Sequence, residues 1–459
     1  MATVFATVSA TMSVGMQGVR GRFEALLADS DTAKAAGLAG AMIVNNVIAL
    51  GSTVVFAREL SDYGALAALI SYFLILAVFG QALQVATARE GVLGHLGVGP
   101  GLIATLKSWT RTMAIFTAVM TVISVALSAP IASLVGVPHD RWAAAIGLPA
   151  GCLWLELSIL RGALQGVGDY KGVGLSLIGE QGTRLIVGAL LAIGLTVTGA
   201  YLGTPFSFIA MCVYCAMKLR DHVRAWEAEH GPAEADDHPA TLTLGTHVTR
   251  AWAPIAGLIV IAVLQNIDII AAKHRFSGHG LSKDLASSYA ATAVAAKVLI
   301  WVAIGAGFYL VPEVSRRRAA GEDTRPVLAK ALGIILVCAV PVLAIFAFGA
   351  RPLLRAAFGP HRLEATSSLL ILGVAFTVLA CTYLAIQYLL ALKRTWFLIF
   401  LAPVALAEPF LLALLASRKP SEFAAFVLGV QAVGAAVAFA LALWRPREPA
   451  ATAITPEPA

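Results

Sequence analysis

The stretch AVLQNIDIIAAK, residues 262–273, puts a carboxylate inside an apolar run: Asp268 stands among Ile267, Ile269 and Ile270, with Gln265 and Asn266 just before it. A charge at mid-bilayer depth costs about 2.5–3.5 kcal/mol on insertion scales. Such a residue therefore takes a partner or faces a water-filled cavity. Lys297, set among Ala295, Ala296 and Val298, needs an anion for the same reason. At about 1.5 Å rise per residue, Asp268 lies about 8 Å and Lys297 about 13 Å below the outer ends of their segments. That difference is within the reach of a lysine side chain. The pair can pin two helices together, line a cavity, or do both.

A second cluster precedes it. SLIGEQGTRLIVG places Glu180 four residues before Arg184, on one helical face and in the favourable acid-first order. Glu156, in CLWLELSIL, is expected at a similar depth. Two carboxylates near one arginine can share a proton, which suits proton coupling; a static intrahelical pair is the plainer reading. Asn45 and Asn46, Gln81 and Gln84, and Gln387 place amides inside apolar segments. There amides bridge helices or bind substrate. Glu408, beside Pro409, fits either a cavity or a gap in a kinked helix.

Other chemistry is missing from the motifs. No GxxxxGK[ST] nucleotide loop and no HExxH zinc motif occurs. GVGPG (97–101) has no phosphate-loop lysine and reads as a flexible cytoplasmic turn. Cys152, Cys212, Cys215, Cys338 and Cys381 sit in apolar windows as small hydrophobes and show no metal or disulfide spacing. His222, His230 and His238 fall in a polar, Ala- and Pro-rich stretch that reads as a solvated tether rather than a metal site. No catalytic constellation emerges, so the chain is not expected to be an enzyme, and no cofactor or metal is expected.

The elements that must position these residues are membrane helices. Of 459 residues, 59% are hydrophobic and 13% charged, and the mean hydropathy is +0.83. Soluble domains are about 25% charged, and a membrane helix needs about 20 apolar residues. We read twelve spans: 34–57, 65–87, 112–135, 142–163, 172–195, 199–218, 251–273, 288–312, 329–349, 366–391, 396–416 and 422–444. The net charge of +7 reflects basic loops rather than nucleic-acid binding. With the N-terminus inside, the inner segments hold roughly twice the Lys and Arg of the outer ones, Arg161 being counted at the inner end of span 4. Both termini are thereby placed in the cytoplasm.

The chain also repeats. ELSDYGALAAL opens span 2 and LASSYAATAVA opens span 8, matching Tyr63 to Tyr289. RGALQGVGDYKG and QYLLALKRTWFL match Leu164 to Leu390 and Tyr170 to Trp396 at the same spacing. Two six-helix lobes in parallel orientation follow. The expected layout is a cytoplasmic N-terminal segment (1–32), a first lobe (33–219), a cytoplasmic linker (220–247), a second lobe (248–444) and a disordered cytoplasmic tail (445–459).

LRGALQGVGDYKGVGLSLIGEQGTRLIVGALLAIGLTVTGAYLG (160–203) resembles the polysaccharide flippases of the multidrug/oligosaccharidyl-lipid/polysaccharide exporter superfamily. SYAAT, LVPEVSRR, FGP and QYLLALKR extend the resemblance from about residue 33 to 444. It implies an all-α, V-shaped, two-lobe fold that alternates access. The implied activity is movement of a polyprenyl-diphosphate-linked oligosaccharide or polysaccharide precursor across the bacterial cytoplasmic membrane. Arg184 matches the family's span-5 arginine and Asp268 its span-7 acid. On this expectation Arg184 and Lys297 meet the diphosphate, and Asn46, Gln81, Asn266 and Gln387 meet the sugars, with Asp268 beside them. Glu156, Glu180 and Asp268 form a charge network able to couple to protons or sodium. The expected partners are membrane lipids, the lipid-linked saccharide, and glycosyltransferases or a polymerase of the same pathway, with the protein itself a monomer. A cation-coupled multidrug antiporter and a peptidoglycan lipid-precursor flippase are the alternatives.

Overall fold

A computed structural model of the chain describes residues 31–231, 244–250, 252–277, 282 and 284–444. Most of the expected N-terminal segment, the middle of the linker with His238, and the tail lie outside the described residues. Among the described residues there are helices and no strands. Ten of the helices are long and apolar enough to cross a membrane. The chain is a multi-pass membrane protein. Large apolar side chains such as Val122, Ile193, Val340 and Phe348 are exposed on the helices, as lipid-facing residues are.

The chain divides into two compact units, residues 1–255 and 256–459. The first holds α1 (Asp31–Glu59), α2 (Tyr63–Val92), α3 (Pro100–Ala126), α4 (Ser128–Val135), α5 (Arg141–Gly166), α6 (Tyr170–His230) and α7 (Leu244–Arg250). The second unit takes most of α8 (Trp252–Phe276). It continues through α9 (Leu285–Ala296), α10 (Val298–Ala319), α11 (Arg325–Phe348), α12 (Ala350–Phe358), α13 (Leu369–Ala391), α14 (Leu398–Leu414) and α15 (Pro420–Leu443).

Every expected span has its helix. Two of them share α6, whose 61 residues are broken at Thr196, with φ 48° and ψ −124°. That conformation is one a threonine adopts under strain. Span 3 begins earlier than expected, because Pro100 starts α3 at its favoured first-turn position. Residues 220–230 of the expected linker are helical and extend α6.

Side-chain caps set two of the starts. Asp62 accepts from the Ala65 N–H at 3.0 Å and Asp169 from the Gly172 N–H at 2.8 Å, satisfying orphan donors at the first turns of α2 and α6. These aspartates are the polar centres of the SDYG and GDYKG turns.

The two units repeat their helix endings. At the end of α2, Gly94 N–H bonds Gly91 C=O and His95 N–H bonds Glu90 C=O. At the end of α10, Gly321 bonds Arg318 and Glu322 bonds Arg317 in the same way. The ends of α5 and α13 share this paired closure, with Gly168 and Lys393 in the left-handed position, φ 82° and 53°. It is the Schellman motif, which glycine fits without strain and lysine does not. The matched caps lie one residue beyond and one residue short of the spacing read from the sequence, so the repeat is real and its register drifts.

The fourth span is the core of each unit. In the first, α5 packs against α2, α3 and α6; in the second, α13 packs against α9, α10, α11 and α15. Close approach explains the glycines of RGALQG. A Cβ at Gly162 would lie 2.5 Å from the Gln84 carbonyl oxygen, and one at Gly166 would lie 2.9 Å from Gly91 Cα. Small residues at this spacing let membrane helices touch backbone to backbone. The GVGPG turn is packed as well: Gly97 and Gly99 take positive φ, and a Cβ at Gly99 would strike the Trp226 ring at 2.5 Å. Trp226 lies on the extension of α6 and stacks on His230 at 4.7 Å. The expected flexible turn is thus a fitted contact. Arginines close helix C-termini of the second unit. Arg318 donates to Leu392 C=O, Arg325 to Leu443 C=O and Arg394 to Trp444 C=O, where cations suit the helix dipole.

Candidate functional sites

In the first unit the ionisable residues meet across α5 and α6. Glu180 Oε1 accepts from Arg184 Nη2 at 2.9 Å, and Glu180 Oε2 from Arg161 Nη1 at 2.9 Å. Arg161 is wholly buried. Its Nε also donates to Ser176 Oγ at 2.7 Å and its Nη2 to Ser176 C=O at 2.8 Å. Arg161 does not belong with the loop cations among which its sequence position counts it: it sits more than a turn before the end of α5, with its head folded into the unit. The expected pair of carboxylates around one arginine is in fact one carboxylate between two arginines. Glu156 turns elsewhere, accepting from Thr110 Oγ1 of α3 at 2.5 Å. Its Oε2 is bonded to none of the described residues.

An aromatic bed carries the two guanidiniums. Arg161 lies 5.6 Å from the Trp154 ring centroid and Arg184 5.6 Å from that of Phe208. Trp154, Phe208 and Phe73 pack mutually, and Trp154 Nε1 donates to Ala77 C=O at 2.6 Å. Cation–π attraction strengthens when water is excluded. The arginines differ in access: the side chain of Arg161 is 0% exposed and that of Arg184 19%. Arg184 Nε is buried and bonded to none of the described residues. The three-residue cluster keeps one positive charge, and the more exposed arginine keeps a buried Nε–H bonded to none of the described residues.

The backbone behind Arg184 is tightly fitted. After the break at Thr196 the chain returns along itself. A Cβ at Gly203 would lie 2.5 Å from the Arg184 carbonyl oxygen and 2.8 Å from Gly188 Cα. The two halves of α6 therefore touch at the level of this arginine.

In the second unit Lys297 Nζ bonds Asp268 Oδ1 at 3.1 Å, the pairing expected from depth. Both side chains are buried, and the ammonium also lies 5.0 Å from the Phe376 ring centroid. Lys297 occupies the break between α9 and α10. Its N–H is shared between Ala293 and Val294 C=O, and Ile300 N–H reaches back to Lys297 C=O, a local 3₁₀-like tightening. Glu408 is fully buried and is joined by Gln431, whose Nε2 donates to it at 3.3 Å and to Leu264 C=O of α8 at 2.8 Å. Glu408 therefore belongs to this cluster, and Gln431 is a member the sequence analysis missed. A lone glutamine in the Ala-rich last span carried no signal of its own.

The amides divide. Asn266 is buried and donates to Ala262 C=O of its own helix at 3.0 Å. Asn45 donates to Asn46 at 3.2 Å, and the Asn46 side chain is half-buried. Gln387 is half-buried and donates to Tyr383 Oη at 2.7 Å; Gln81 is exposed. Asn46, Gln81, Glu156, Glu180 and Arg184 lie in the first unit, and Asn266, Asp268, Lys297 and Gln387 in the second.

This arrangement of helices recurs in solved transporters. The inward-facing conformation of a multidrug resistance MATE family transporter of the MOP superfamily superimposes with a TM-score of 0.68 at 11% identity, covering 87% of this chain and 93% of that one. The protein has the fold of the MOP superfamily transporters. The lipid II flippase MurJ, in an inward closed conformation, gives 0.66 at 14% identity over 88% of this chain and 87% of its own. A MOP superfamily transporter from Pyrococcus furiosus, described for the reverse polarity of its binding pocket, gives 0.57 at 14% identity over 88% and 93%. No protein-family model and no curated protein sequence matches the chain.

Proposed function

We propose that the protein is a flippase or exporter that carries a polyprenyl-diphosphate-linked oligosaccharide or polysaccharide precursor across the cytoplasmic membrane of a bacterium, by alternating access. The observation that carries this reading is the surplus charge of the first-unit cluster. Arg161 already neutralises Glu180, so Arg184 retains a positive charge, an unused buried Nε–H and partial exposure. A planar guanidinium with free donors suits the oxygens of a diphosphate. Lys297 is already paired with Asp268 and adds no surplus charge; Gln387 and Asn266 in the second unit, and Asn46 and Gln81 in the first, are the proposed amides for the sugars. The lysine and arginine bias supports a cytoplasmic location for both termini. Glycosyltransferases or a polymerase of the pathway are the proposed partners.

A cation-coupled multidrug antiporter is the second reading. It is favoured by Asp268 and Glu408, two carboxylates served by one lysine. A peptidoglycan lipid-precursor flippase remains a variant of the first reading, and one similar structure is named a lipid II flippase.

The deciding experiment is native mass spectrometry of the purified protein for co-bound polyprenyl-diphosphate lipid, with translocation measured in proteoliposomes. Wild type is expected to hold and move the lipid, and Arg184→Gln to fold normally and lose both. Dye efflux without lipid binding, or full lipid translocation by the Arg184 variant, overturns the assignment.

A further inference from the structure

The second unit places a short helix where one of its lipid-facing surfaces stops. Along α11 the apolar side chains of Val337, Val340, Ile345 and Phe348 are exposed, Phe348 to 92%, as they are where a span meets acyl chains. Gly349 closes α11, and α12 follows at once as Ala350–Phe358. Leu354 and Phe358, one turn apart, are buried and seat α12 in its unit beside α9. Arg351 and Arg355, also one turn apart, share an edge of the same helix and are exposed. The first charges met after the apolar run are therefore these two arginines.

Neither guanidinium is paired with an acid among the described residues. The acids at this end of the unit are occupied. Asp284 Oδ1 accepts from Arg362 Nη1 at 2.7 Å, Glu364 Oε1 from Ser282 Oγ at 2.7 Å, and Glu422 Oε1 from Lys419 Nζ at 3.1 Å. Arg362 is buried, so its charge is answered inside the protein. Arg418, exposed in the loop before α15, adds to the same positive end. The repeat sharpens the contrast. In the first unit α4 follows α3 as α12 follows α11, and its sequence, SAPIASLV, holds no ionisable side chain. The fold therefore does not require charge at this position. Side chains one turn apart have Cβ atoms about 6 Å apart, close enough for both guanidiniums to reach one phosphate. Arginine binds phosphate oxygens through paired N–H donors, and its long stem lets the head rise from an apolar surface to the depth of lipid headgroups.

We propose that Arg351 and Arg355 form a binding site for the headgroup phosphate of an anionic phospholipid at the margin of the bilayer. The occupant is a bilayer lipid rather than a soluble anion, because the arginines follow directly on the exposed apolar surface of α11. One phospholipid satisfies both features: its chains cover Ile345 and Phe348, and its phosphate bridges the two arginines. The net negative charge of the headgroup answers the net positive charge of the pair, which a zwitterionic lipid does not supply. The site belongs to neither of the buried ionic clusters, so it stands whatever cargo the protein carries.

Native mass spectrometry of the full-length protein in detergent, titrated with phosphatidylglycerol or with phosphatidylcholine, tests this. Wild type is expected to bind phosphatidylglycerol in preference. A basic residue near a charged lipid surface contributes about fivefold in affinity. The double variant Arg351→Gln, Arg355→Gln is therefore expected to weaken the tightest phosphatidylglycerol site about tenfold or more. Arg351→Lys with Arg355→Lys, which keeps the charge, is expected to retain most of the preference, and it separates loss of charge from damage to α12. Equal binding of the two lipids by wild type, or phosphatidylglycerol binding unchanged in the glutamine variant, overturns the proposal. So does binding of inorganic phosphate that the glutamine variant abolishes while phosphatidylglycerol binding persists, which would assign the pair to a soluble anion.

Discussion

Arg161 Nη1 lies 2.9 Å from Glu180 Oε2, with the arginine fully enclosed and its other donors spent on Ser176. Arg184 reaches the opposite oxygen of the same carboxylate from a partly exposed position. One arginine supports the cluster and the other presents it.

The two are therefore expected to fail differently. Arg161→Ala strips Glu180 and both Ser176 acceptors of a buried donor, and breaking a buried ion pair costs about 3–5 kcal/mol. Arg184→Ala leaves Glu180 paired and removes a partly solvated contact, for a cost of at most about 1 kcal/mol. Thermal unfolding of the detergent-purified variants, followed by size-exclusion chromatography, measures both. Equal melting temperatures would show that Arg161 does not hold the cluster together.

The Asp268–Lys297 pair makes a prediction about coupling. Lys297→Met abandons a buried carboxylate and Asp268→Asn abandons a buried ammonium, each at about 3–5 kcal/mol. Removing both leaves no uncompensated ion, so the double variant is expected to be less destabilised than the sum of the singles, and less than Lys297→Met alone. A double-mutant cycle on unfolding free energy reads the difference. Simple additivity would place the two side chains out of contact.

Gly203 and Gly194 lie on the two halves of α6 and are expected to respond oppositely. At Gly203 a Cβ meets the Arg184 carbonyl and Gly188, whereas at Gly194 it meets nothing within 4 Å. Gly203→Ala overpacks a backbone contact and is expected to cost about 1–3 kcal/mol. Gly194→Ala is expected to be neutral or to stabilise by about 0.5–1 kcal/mol, the ordinary gain of alanine in a helix. The same unfolding assay separates them, and a tolerated Gly203→Ala would show that the two halves can part.

What the sequence made legible follows from the cost of charge in lipid. Asp268 and Lys297 stood out because each was alone in an apolar window and had to find the other. The spans were legible because apolar runs of membrane length have no other use. Arg161 was hidden by its place near the GVGDYK turn, where a basic residue reads as a loop cation. Only tertiary packing shows its head turned inward onto Glu180 and Ser176. The helical extension to His230 was concealed by polarity: RAWEAEH is hydrophilic like a linker, yet Ala, Glu and Arg are also good helix formers. The break at Thr196 falls between the two spans expected at 172–195 and 199–218, but on a threonine rather than on the nearby Gly199.

The break at Lys297 contains no proline or glycine; its neighbours are Ala295, Ala296, Val298 and Leu299. Lys297 itself keeps right-handed dihedrals, φ −73° and ψ −1°. Nothing in the covalent chain forbids a straight rod from Leu285 to Ala319. The single irregular turn falls on the residue whose ammonium is tied to Asp268, so the loosest point of this backbone ladder and its buried charge share one position.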